Sequence, residues 1–150
     1  HANAAALQVF DLRTGESRTL SDRALAIGGA MQPSLALQDE HVAWVDASGT
    51  TGDLALRVVT LDTGMDIVAP TPLDQPRALV VSRDLVAWRD DSTWRGLDLA
   101  DGSAWAAPLA PADVPATSIR AVGVPQLLDR RLIWTLDTSA GTQAFAADVP

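Results

Sequence analysis

The chain contains no cysteine and no lysine. Without thiols there can be no disulfide, no thiolate metal site and no cysteine nucleophile. No apolar run approaches the roughly 18 residues that span a bilayer, so no transmembrane segment is expected. Helix signals are nearly missing, because no capped stretch carries apolar residues at the 3, 4 and 7 spacing. Catalytic signatures are missing too: no Gly-x-Ser-x-Gly elbow, phosphate loop, dinucleotide fingerprint or His-Glu-x-x-His occurs. Carboxylates are plentiful, but nothing singles out one pair for acid–base work. The sequence therefore gives no reason to expect an enzyme, a cofactor or a metal.

What is present is a folded, acidic chain. The 150 residues are 47% hydrophobic and 20% charged, enough for one domain with a sizeable core. Asp and Glu total 19 against 11 arginines, a formal net charge of −8. Such a surface repels phosphate backbones, so nucleic acid is not an expected partner. The same charge keeps a protein soluble, which is a sufficient reason for it.

One phrase organises the rest. His-Val-Ala-Trp-Val-Asp at 41–46 returns as Val-Ala-Trp-Arg-Asp at 86–90 and as Leu-Ile-Trp-Thr-Leu-Asp at 132–137. The tryptophans Trp44, Trp88 and Trp134 thus recur at a nearly fixed interval. A period of about 40–45 residues with four strands per unit marks a propeller blade. Around each phrase the same hairpins recur. Leu7–Leu12, Leu56–Leu61 and Arg95–Leu99 each run into a Gly turn, at Gly15, Gly64 and Gly102. Glycine suits such a turn because it accepts positive φ without a Cβ clash. Pro33–Leu37, Pro76–Val81 and Pro125–Leu128 each precede a short turn and the tryptophan strand. Runs such as Val42–Val45 and Ala78–Val81 are apolar on both faces, so these strands should be covered on both sides.

The expected fold is all-β: a β-propeller-like array of four-stranded antiparallel blades in a single domain. Residues 33–69 and 76–107 form complete blades, 125–148 a partial one, and 7–20 the second half of another. Residues 1–6 are expected to fray, and the proline-rich 108–115 to form a surface loop. These blades are too few to close a ring, since propellers use about four or more. The chain is then a piece of a longer propeller, an open wedge, or a part that other chains complete, and in each case large apolar faces at its ends would mark interfaces.

The unit Pro-x-h-x-h…h-h-Trp-x-Asp…h-x-h-x-x-Leu-Asp-Thr-Gly (h apolar), clearest at 33–64, resembles the TolB-type β-propeller repeat, over nearly the whole chain. The third unit departs from it most: Leu132-Ile133-Trp134-Thr135 keeps the tryptophan, but no second Gly turn follows. Asp98–Trp105 also resembles a quinoprotein-type propeller repeat, in that one unit only. The TolB resemblance implies an extracytoplasmic protein that binds other proteins instead of doing chemistry. A start at His1 fits a mature form after leader removal, and equally a tag remnant or a fragment.

Candidate sites each have a plain structural explanation. The three repeat tryptophans could stack a ligand, but a once-per-unit position is what core packing between blades demands. Trp94 and Trp105 occupy the repeat positions of Leu56 and Ile67 and are assigned to the core as well. His1 and His41 could suggest a copper brace, yet nothing else of such a site is visible, and solvated imidazoles are expected. Asp46 and Asp53 flank a Gly-rich loop, and Asp90 and Asp91 occupy the matching loop of the next unit. Calcium needs six or more oxygens, and these spacings fit no known cage, so solvated turn residues are expected.

The loops 46–53, 90–93 and 137–142, with 21–32, 70–75 and 108–118, fall on one rim and vary most between units. Variable loops on a rigid scaffold are where recognition concentrates. Asp46, Asp53, Asp90, Asp91 and Asp113 on that rim are the possible contact residues. The expected function is a non-catalytic interaction or structural module, its blade ends covered by other subunits or further copies. An accessory propeller of a hydrolase or peptidase, or a glycan-binding propeller with aromatics on its rim, is the alternative.

Overall fold

A computed structural model describes residues 3–26, 35–48, 53–69, 73 and 76–149. His1, Pro33, the loop centre at 49–52 and parts of the 21–32 and 70–75 segments lie outside those residues. The described chain is all-β, with no α-helix and one short 3₁₀ turn at Ala116–Ser118. Its strands are β1 (Asn3–Phe10), β2 (Ser17–Ala26), β3 (Leu35–Gln38), β4 (His41–Ser48), β5 (Asp53–Thr60), β6 (Asp66–Val68) and β7 (Arg77–Val81). They continue as β8 (Leu85–Asp90), β9 (Thr93–Asp98), β10 (Ala104–Pro108), β11 (Ile119–Val122), β12 (Gln126–Leu128), β13 (Arg131–Thr138) and β14 (Gly141–Asp148). Every paired strand is antiparallel, in three sheets that form no closed ring among the described residues.

Alternation along the tryptophan strands fixes how the sheets stack. In β4, Val42 and Trp44 face one side, packing with Leu7, Val9 and Leu20 of the first hairpin. Ala43 and Val45 face the other, where they meet Val86 and Trp88 of β8. Leu85 and Ala87 of β8 turn in their own opposite direction, onto Leu132, Trp134 and Leu136 of β13. Each repeat tryptophan therefore packs against what precedes it in sequence: Trp44 on the first hairpin, Trp88 on the first sheet and Trp134 on the second. Trp44, Trp88 and Trp134 are 1%, 4% and 4% exposed. Burial of a large apolar side chain contributes roughly 2–3 kcal/mol, so the tryptophan seams are a major part of what holds the layers together. Trp94 joins the seam of Trp134, the two ring centroids 5.8 Å apart. Trp105, expected in the core, is only half-buried and lies over Gly96, where a Cβ would overlap its ring.

The turns repeat as closely as the seams. The amides of Gly15, Gly64 and Gly102 donate to the carbonyls of Asp11, Thr60 and Asp98 at 2.8, 2.8 and 2.9 Å. All three glycines have φ between 70° and 76°, the left-handed region that penalises a Cβ. Beside these turns, the amides of Leu61, Leu99 and Val149 donate to the carbonyls of Glu40, Asp84 and Arg130. Arg130 also reaches back to Asp98 at 2.8 Å, tying the third layer to the second.

The structure corrects several boundaries. Residues 3–6, expected to fray, begin β1, and 21–26, expected as loop, complete β2, with Asn3 opposite Ala26. The first hairpin packs on β4 and also pairs with its edge through Ala24 and Asp46. It thereby joins the first sheet, which has six strands instead of the four expected. The third sheet gains β11, which lines up on the same edge of β13 as β12. Gly123 connects the two, its amide donating to the Thr135 carbonyl at 2.8 Å. A Cβ there would overlap the Thr135 hydroxyl, so glycine lets the chain pass close to that side chain.

Candidate functional site

The loop rim does not present its carboxylates as a free set. Asp46 is 7% exposed, at a position where β4 continues two residues beyond it. Its Oδ1 accepts hydrogen bonds from the Ser21 hydroxyl and the Trp44 indole, both at 2.7 Å. Arg57 lies 3.5 Å from Oδ2, 5.7 Å from the Trp44 ring centroid, and pairs with Asp66 as well. The solvated turn residue expected at 46 is instead a buried clamp joining β2, β4 and β5, because the tryptophan needs an acceptor. Asp90 is half-buried and pairs with Arg95 at 2.9 Å. Asp53, Asp91 and Asp113 are exposed, Asp91 in a turn with φ of 46°. The five carboxylates are thus dispersed over separate turns and strand ends.

His41 also departs from expectation. Its imidazole is 6% exposed, with Nδ1 lacking a hydrogen-bond partner among the described residues. Register with Gln38 and Thr60 places it inside the first sheet, at the head of a strand covered by the next layer. Among the described residues no group of three or more His, Asp or Glu side chains is placed to hold a metal ion. No described helix is long and apolar enough to cross a membrane.

The same rim carries an arginine cleft between the second and third layers. It is an open depression of about 490 Å³ lined by Arg77, Arg89 and Arg120, with Asp91 the one acidic residue among the described lining. Arg77 and Arg89 are directly opposed on β7 and β8. Arg89 is 7% exposed, and burial, followed by the charge of Arg77, pushes its guanidinium below the usual arginine range, partly opposed by Asp91. Leu109, Ile119 and Val122 supply apolar wall. Sequence reasoning overlooked this group, although a signal was there. The repeat phrase Val-Ala-Trp-Val of 42–45 becomes Val-Ala-Trp-Arg at 86–89, putting a cation at the position of the buried Val45.

The second feature is the outward face of the third sheet. On β13, Leu132, Trp134 and Leu136 point inward, while Arg131, Ile133, Thr135 and Asp137 point out. Ala43 and Ala87, the repeat counterparts of Ile133, are both 0% exposed beneath the following layer. Ile133 is half-exposed, and Leu128 beside it is 56% exposed. Ala144 and Ala146 continue this face on β14, bordered by an Arg131–Asp148 pair at 2.6 Å. No protein-family model matches the chain, and no curated protein matches it.

Proposed function

We propose that this chain is a β-propeller module of TolB-like four-stranded blades that holds other proteins and performs no chemistry of its own. The observation that carries the reading is the outward face around Ile133. In the two preceding layers the equivalent face is covered by a tryptophan-bearing sheet, and here it is bare. A surface shaped by the repeat to receive the next layer is most simply completed by one. Another subunit, a further copy of the chain, or further blades of a longer polypeptide supplies it. Phe10, 58% exposed on the first hairpin, gives the opposite end an apolar contact of its own. An extracytoplasmic location follows from the family resemblance and belongs to the same proposal.

A glycan-binding role needs exposed aromatic rings on a rim. Four of the five tryptophans are buried, which favours protein contact over sugar stacking. The test is sedimentation velocity on natively isolated material and on an Ile133→Arg variant. The native material should sediment above the 15.8 kDa of one chain, and the variant as the monomer with its fold intact. A native protein that stays monomeric at every concentration and carries no second subunit would sink the reading.

A further inference from the structure

The geometry points to a binding site in the arginine cleft for a peptide carboxylate flanked by apolar side chains, held between the second and third layers at the loop rim. Four observations converge on it. Register sets Arg77 opposite Arg89, and like charges directly opposed across an antiparallel pair are unfavourable. That opposition is built, not incidental. Between Arg77 and Val80 the register slips by one residue, and within the slip Ala78 adopts φ of 52° while 3% exposed. A left-handed alanine is strained, and a bulge of this kind re-aims the side chains that flank it. Here it aims Arg77 onto the same face as Arg89, toward the third layer.

Third, the repeat fills the position of Arg89 with Val45 in the first layer, so the second layer exchanges a buried apolar contact for a buried cation. Departures from a fold's own packing rule collect at functional sites. Fourth, Arg120 arrives from β11 on the facing sheet, so that Arg77, Arg89 and Arg120 meet Asp91 alone among the described acidic residues of the lining. Neither Arg77 nor Arg120 forms an ion pair among the described residues. Guanidinium forks match a carboxylate, and the bound anion removes the repulsion between the opposed pair.

The choice of ligand follows from the walls and from the whole chain. Leu109, Ile119 and Val122 provide apolar surface next to the cations, which suits a side chain neighbouring an Asp or Glu. A chain of net charge −8 opposes a polyanion while admitting one carboxylate. The site is separate from the Ile133 face, so a monomeric result in sedimentation leaves this inference standing, and the two can fail independently.

The indole N–H of Trp134 donates to the carbonyl of Leu109 at 2.8 Å and so reports on the cleft wall. The experiment titrates isotopically labelled protein with acetyl-Leu-Asp-Leu-amide, with its Asn counterpart and with inorganic phosphate. Nuclear magnetic resonance follows the Trp134 indole and the amides of Ile119–Val122. The Asp peptide should produce saturable shifts at these positions, and the Asn peptide none. Arg120→Gln and Arg77→Gln, both at exposed side chains and compatible with folding, should each weaken binding about tenfold, as for loss of one charge-assisted hydrogen bond. Absence of saturable shifts with the Asp peptide would overturn the assignment. So would equal binding of the Asn peptide, tighter binding of phosphate, or indifference to both substitutions.

Discussion

Replacing Asp46 with alanine should loosen the first hairpin from the rest of the molecule. The wild-type carboxylate accepts two 2.7 Å hydrogen bonds, from the Ser21 hydroxyl on β2 and from the Trp44 indole on β4. Hydrogen bonds to a charged acceptor contribute about 1.5–3 kcal/mol each. Removing the carboxylate also removes its own desolvation cost. The Ser21 hydroxyl still accepts from the Arg23 amide at 2.9 Å but loses the acceptor for its own proton, and the Trp44 indole, 1% exposed, loses its acceptor outright. The net loss should be about 2–4 kcal/mol, a large share of a small domain's stability. Asp46→Asn keeps an acceptor oxygen and loses only the charge toward Arg57, so it should lose about 1 kcal/mol. Urea unfolding followed by tryptophan fluorescence gives the totals, and amide exchange locates them. Exchange should quicken first across β2, which meets β4 by the Ala24–Asp46 pair. If Asp46→Ala unfolds within about 0.5 kcal/mol of wild type, the buried clamp does not exist as described.

The remaining predictions concern turns, packing, charge and pH. Gly64→Ala meets open space but a φ of 70°, so it should cost about 1–2 kcal/mol in denaturant unfolding. Gly96→Ala would overlap the Trp105 ring and the Val86 carbonyl, and should cost about 2–3 kcal/mol, only part of it recovered by adding Trp105→Ala. Arg77→Gln should raise thermal stability of the unliganded protein by about 0.5 kcal/mol, since it relieves the opposed arginine pair. Three carboxyl groups are held below the usual range: Asp11 by the Arg13 and Thr14 amides, Asp101 by Ser103, and Asp148 by Arg131. A depressed carboxyl stabilises the fold above its unfolded pKa and loses that contribution as pH falls through its folded value. Stability should therefore be level from neutral pH downward and decline below about pH 4, as read by unfolding at a series of pH values.

The tryptophan phrase was legible because one chemical requirement, a large ring in each interlayer seam, recurs with the repeat. The Gly turns were legible for a similar reason: positive φ leaves few residue types. Interlayer pairing across a strand end was not legible. Ala24 carries no mark that it will pair with Asp46, and β2 outruns its expected end because a neighbouring edge is there to receive it. Asp46 looks like any strand-end carboxylate until the Trp44 indole and Ser21 converge on it. His41 heads its strand in a polar context, yet the covering layer buries it. The arginine cleft joins residues far apart in sequence, and its only local trace is the arginine at position 89 where the first unit has valine.

On the proposed function, protein covers the face around Ile133 in the native assembly. Carbene footprinting of natively isolated material, before and after dissociation in mild denaturant below the unfolding transition, addresses it directly. Ile133, Leu128 and Ala146 should label weakly in the assembly and strongly once it dissociates, while the exposed Leu12 at the far turn labels alike in both. Equal labelling of the Ile133 face in both states would contradict the claim.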